Sequence, residues 1–137
     1  MLRPMTYRVS LFAVLALAFL APSSGAQNLT VKTYREMIAS GGNDKAMADW
    51  YTSGAGMALM SANAELEGRH QKPLYCQPGT VVLHADNFES IIRHWISKML
   101  ELPPMPNGPT LKKLEALPAS LALMRALIDA FPCPEKP

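Results

Sequence analysis

The chain has 137 residues, with 13 Lys and Arg against 11 Asp and Glu. Arg3 and Arg8 stand at the extreme N-terminus, so the rest of the chain carries eleven charges of each sign. A balanced surface with no like-charge run longer than Lys112-Lys113 lacks the electrostatic footprint of a nucleic-acid binder, and it gives no pull toward anionic lipid.

The first 26 residues read as a cleavable signal peptide. Arg3 and Arg8 form the basic start, and residues 9–21 are a short uncharged apolar run. Ser24 and Ala26 put small residues three before and one before the cut. The rival reading is a membrane anchor, but the run is roughly 13 residues where a spanning helix needs about 20. Residue 27 is Gln and not Cys, which argues against a lipid anchor. The expectation is therefore a periplasmic or secreted domain at residues 27–137, of ordinary single-domain size. Its two cysteines, Cys76 and Cys133, are expected to form a disulfide in an oxidising compartment; the competing reading is a pair of buried free thiols.

The pattern predicts an all-α fold, a small single-domain bundle of four to five helices. Thr30 is placed to cap a first helix over Val31–Ser40, ended by Gly41-Gly42. Asn43 or Asp44 is expected to cap a long second helix reaching about Glu67. Its expected apolar positions are Met47, Trp50, Tyr51, Met57, Ala58 and Met60. The small residues Ser53, Gly54, Ala55 and Gly56 in its middle suit the close approach of another helix. Residues 68–79 read as a connector broken by Pro73, Pro78 and Gly79; 80–83 could be extended or briefly helical. Asp86 with Glu89 resembles a capping box. The helix after it carries Phe88, Ile91, Ile92, Trp95, Ile96, Met99 and Leu100 at helical spacing, with polar residues opposite. Four prolines and a glycine make residues 102–109 a stiff loop. Residues 110–117 suit a helical turn. Pro118 suits the first turn of a last helix burying Leu121, Met124, Leu127, Ile128 and Phe131, ended by Pro132.

Catalytic groups are sparse. Ser90 and His94 share a helix face, but a Ser–His pair needs an orienting carboxylate and an oxyanion site. Glu67 and His70 have metal-compatible spacing without a third ligand. Phosphate loops, zinc-peptidase motifs and nucleophile elbows are lacking. The chain is expected to be no enzyme and to need no cofactor or metal.

Three segments carry a resemblance: W-Y-T-S-G-A-G-M-A at 50–58, Y-C-Q-P-G-T-V at 75–81, and L-P-A-S-x-x-L-M-R-A-L-I-D-A-F-P-C at 117–133. In order and spacing they resemble the Rap/Tai family, periplasmic immunity proteins against type VI secretion amidase effectors together with uncharacterised relatives. The chain departs from the pattern by lacking an early cysteine pair, whose places fall near Ile38 and Ala48. The resemblance implies an all-helical periplasmic domain, often a homodimer, that plugs the active-site cleft of a peptidoglycan amidase. Such inhibition asks for a rigid projecting element with a buried anchor. The loop tip Met105, Pro106, Asn107 and Gly108 is the first candidate for that element, pre-ordered by its prolines. Arg69 and His70 in the connector are the second. The alternative is an envelope-associated helical module without a toxin partner, which the missing cysteine pair favours.

Overall fold

The computed structural model describes residues 29–103 and 110–134. The expected signal peptide and the loop tip Met105, Pro106, Asn107 and Gly108 lie outside them. The described residues form five helices and one disulfide: α1 (Val31–Ser40), α2 (Gly42–Gly68), α3 (Ala85–Glu101), α4 (Leu111–Glu115) and α5 (Ala119–Ala130). No strand is present among them.

The helix ends follow local chemistry. The Thr30 hydroxyl accepts a hydrogen bond from the Thr33 N–H at 3.2 Å and starts α1. Gly41 ends it at φ 73°, a conformation that a side chain would strain. Helix α2 then begins at once, at Gly42. Asn43 and Asp44 therefore lie inside its first turn and do not cap it. Asp44 instead accepts from the Ser40 hydroxyl at 3.0 Å and sets a negative charge at the positive end of the helix dipole. The start of α3 also differs from the expected Asp86–Glu89 box. His84 precedes the first turn, and Asn87 Oδ1 accepts from its N–H at 2.7 Å. Glu89 is engaged elsewhere, with Arg93 at 3.0 Å and Lys45 at 3.4 Å. Pro118 sits just before α5 and not within its first turn.

The N-terminal end of the described body is tied down by backbone. Val31 N–H donates to Leu117 O at 2.8 Å, and Ala119 N–H to Leu29 O at 2.6 Å. These bonds dock the start of α1 against the start of α5. Helix α2 runs through the middle and packs on α1, α3 and α5.

The core is built around α3, whose Phe88, Ile92, Trp95 and Ile96 are buried as its periodicity predicts; Leu100 stays exposed. Its partners include Val31 and Tyr34 of α1, Tyr75 and Leu83 of the connector, and Leu114 of α4. Two helices turn a different face inward from the one expected. Helix α5 buries Leu127 as expected, but with Ala119, Ala122, Leu123 and Ala126; Ile128 is exposed, Leu121 and Met124 are only partly covered, and Phe131 packs half-buried against the core. Helix α2 buries Ala48, Thr52, Gly56 and Asn63. Its small residues do admit a neighbour, at Gly56 specifically. A Cβ there would overlap the Phe88 ring, whereas Gly54 faces open space.

One polar side chain shapes the connector. Asn63 is buried; its Oδ1 accepts from the N–H groups of Leu74 at 2.7 Å and Tyr75 at 3.3 Å. Its Nδ2 donates to Tyr75 O at 3.1 Å. Asn63 thus supplies backbone partners to a stretch with no helix or sheet to provide them. Replacing Asn63 with alanine leaves those groups unpaired and should cost about 2 kcal/mol in denaturant unfolding, with faster hydrogen exchange at Leu74 and Tyr75. A loss below 0.5 kcal/mol, on the order of a neutral surface change, would show that the connector holds itself.

Candidate protein-binding surface

Helix α2 is 27 residues long, about 40 Å at 1.5 Å per residue. With Ala48, Thr52, Gly56 and Asn63 turned inward, geometry at 100° per residue sends Met47, Trp50, Gly54, Met57, Ala58 and Ser61 outward. Trp50 is 78% exposed, Met47 58% and Met57 52%. The sequence pattern placed these three large side chains in the core; they stand on the surface instead. From Trp50 to Ala64 the helix carries no charged residue, so no charge interrupts the stripe over that length. Large exposed apolar groups gathered on one helix face make it a candidate interaction surface. The sequence signal lay in the opposite face, where small and polar residues recur at helical spacing.

The helix bearing the stripe is tied to its neighbours. Lys45 bonds Asp49 at 2.7 Å and reaches Glu89 on α3; hydrogen bonding to Asp49 pushes the Lys45 ammonium upward in pKa. Tyr34 of α1 packs under the same region with its ring fully buried. Burial pushes its phenol up to about 12. The hydroxyl faces Thr52, but Thr52 is committed to the Ala48 carbonyl at 2.8 Å. Among the described residues no partner meets hydrogen-bond geometry at the Tyr34 oxygen.

The stripe runs into the second sequence candidate. Glu65, in the last turn of α2, pairs at 2.6 Å with Arg69, the residue just past the helix. Past it, His70 N–H donates to Glu67 O at 2.9 Å and Gln71 N–H to Leu66 O at 2.8 Å, the double bond pattern that closes a helix through a left-handed residue. That residue is His70, at φ 56°. A non-glycine side chain there costs about 1–2 kcal/mol relative to the right-handed region. Arg69 and His70 are both exposed. His70 also lines an open cleft of about 470 Å³ with Gln71, Lys72, Pro73, Cys76, Cys133 and Pro134.

Ser90 and His94 line a shallow groove of about 410 Å³ together with Lys98 and Asp129. No hydrogen bond joins Ser90 to His94, and Asp129 is held by Lys98 at 2.7 Å. The three side chains share a groove without forming a proton relay. Glu67 and His70 do not gather a third ligand: no group of three or more His, Cys, Asp or Glu able to hold a metal exists among the described residues. No helix among them is long and apolar enough to cross a membrane.

No family model, curated protein or solved structure matches this chain.

Proposed function

We propose that this chain is a periplasmic binding protein of the immunity type, which neutralises a cell-wall amidase by covering its active-site cleft. The observation that carries the binding role is the apolar stripe of Met47, Trp50 and Met57 on the outer face of α2. The choice of partner rests on the resemblance. Its three motifs supply Trp50 itself, both cysteines, and the α5 segment packed beneath α2. Occlusion requires no reacting group from the inhibitor. It requires a stiff element bearing a large anchor around which water is excluded, and tryptophan is the residue most enriched in such roles. The stripe ends at Glu65, Arg69 and His70, which fit the polar rim that surrounds an apolar contact.

A second copy of the chain is the competing occupant, favoured by one observation. If two α2 helices crossed antiparallel about Gly54, Trp50 of one would face Ala58 of the other, and Met47 would face Ser61. Large side chains would thus meet small ones across a two-fold axis.

The test pairs the mature protein with an amidase effector encoded beside it. Co-expression in the periplasm should restore growth. Trp50→Ala should weaken binding about 30-fold, the effect of losing a 2 kcal/mol anchor, without changing the unfolding midpoint, because the side chain contributes little to the core. Binding that ignores Trp50 would move the interface elsewhere. Neither rescue nor binding, with sedimentation showing a dimer lost in Trp50→Ala, would assign the stripe to self-association.

A further inference from the structure

We infer that the cleft over the Cys76–Cys133 bridge is an exchange site at which a small peptide thiol carrying carboxylates opens the disulfide in the folded protein. The inference is independent of the amidase reading. The bridge joins the connector to the residues just past α5 and is no part of the apolar core. Both cysteines are partly exposed, and both line the same cleft of about 470 Å³. A thiol can therefore reach sulfur without unfolding the helices.

The remaining walls of the cleft give it a charge preference. Lys72 and His70 line it together with the two cysteines, and Arg69 adjoins them in sequence. Among the described residues no Asp or Glu lines it; Glu135 follows Pro134 in sequence. Glu65, which balances Arg69 at 2.6 Å, stands one turn back on α2. A lysine ammonium next to a disulfide attracts an anionic thiol and stabilises the thiolate that leaves.

The chemistry balances with the thiol as the only co-reactant. The incoming thiolate attacks one cysteine sulfur. A new S–S bond forms as the Cys76–Cys133 bond breaks, and the electron pair leaves on the other cysteine as thiolate, which takes up a proton. A second thiolate then attacks the external sulfur of the mixed disulfide. The small molecule departs as its own disulfide and the first cysteine leaves as thiolate. Two thiols are oxidised and one protein disulfide is reduced.

Opening the bridge in this way leaves several contacts at the same place. Cys76 N–H donates to Phe131 O at 2.8 Å, the Tyr75 and Phe131 rings lie 6.4 Å apart, and Asn63 holds Tyr75. The reduced protein should therefore keep its helices while the cleft loosens.

The test follows reduction of the folded full-length mature protein by mass, with three probes: glutathione (anionic), 2-mercaptoethanol (neutral) and cysteamine (cationic). The expected rate is linear in thiol concentration. The charge-reversing variant Lys72→Glu should slow glutathione about fivefold, speed cysteamine, and leave 2-mercaptoethanol unchanged, with the contrast fading in 1 M salt, where the Debye length falls to about 3 Å. Lys72→Gln should fall between. Lys72 is exposed, so both variants should fold as the parent does. A rate that saturates at one value for all three thiols would mean that attack waits on unfolding, and would overturn the inference. So would linear kinetics in which Lys72→Glu leaves the three thiols in their original order and ratio.

Discussion

Truncating Phe88 to alanine is expected to cost about 4 kcal/mol of folding stability, and adding a single methyl group opposite it, Gly56→Ala, about 1–2 kcal/mol. Phe88 is completely buried and lies where α2 and α3 meet. Its removal loses both the transfer energy of the ring and the contacts that line the resulting void. At Gly56 the sign is less obvious. Alanine is the better helix former by about 1 kcal/mol, which alone would stabilise an interior glycine of a 27-residue helix. The added Cβ would however overlap Cγ, Cδ2 and Cε2 of the Phe88 ring. Cγ sits near the stem of the side chain, so the ring cannot swing clear by a terminal rotation. Either α2 and α3 separate or Phe88 leaves its rotamer, and steric cost exceeds propensity gain. Gly54, two residues away on the exposed side, is the internal control: nothing lies within 4 Å of its Cβ position. Gly54→Ala should stabilise by up to about 1 kcal/mol. Chemical denaturation of the three variants checks this, and a double-mutant cycle isolates the contact. Gly56→Ala combined with Phe88→Leu should be less destabilised than the sum of the single changes. If Gly56→Ala and Gly54→Ala both stabilised, the two helices would not meet as closely as described.

The same pair of glycines shows how far the sequence could be read. Helix boundaries were legible where a terminal residue had one dominant use: Thr30 as a cap, Gly41 as a left-handed stop, Pro132 as a breaker. The α3 core face was legible because its large apolar residues recur at helical spacing and have no competing apolar face. Helices α2 and α5 misled for a shared physical reason. Where helices approach closely, the buried positions must be small, and Ala48, Gly56, Ala119, Ala122 and Ala126 carry little hydrophobic signal. The large residues of α2, Met47, Trp50 and Met57, then fall on the outer face, where a rule that sends apolar residues inward reverses their assignment. That reversal is also what exposes the candidate binding surface, so the candidate site was hidden by the rule that found the core. Arg69 and His70 emerged from the connector reading; the left-handed backbone at His70 could not, because histidine gives no sequence sign of it. Asn63 was silent as well. A buried asparagine in mid-helix is intelligible only once the chain eleven residues later is known to lie beside it.

Removing the disulfide by Cys76→Ser with Cys133→Ser should lower stability by about 4 kcal/mol. The bridge spans 57 positions, and closing a loop of that size removes roughly this much entropy, as free energy, from the unfolded chain. Domains of this size commonly have total stabilities of about 5–15 kcal/mol, so the variant should sit near the edge of folding at physiological temperature. The loss resides mainly in the unfolded state. The native contacts around the bridge are numerous enough to preserve its geometry: the Cys76 N–H bond to Phe131 O, the buried Tyr75 ring, and the Asn63 clamp. Two observables follow together. The denaturant midpoint falls, and the dependence of free energy on denaturant steepens, because an uncrosslinked unfolded chain exposes more surface. Helical circular dichroism below the transition should be unchanged. A midpoint that barely moves would mean that the unfolded chain is already confined near this loop by other means; a lost helical signal at zero denaturant would mean that the bridge holds up the native helices directly. A drop in midpoint with unchanged native helicity matches a clip that ties the connector to the end of α5 from outside the core, which is also the placement that sets both cysteines along the cleft.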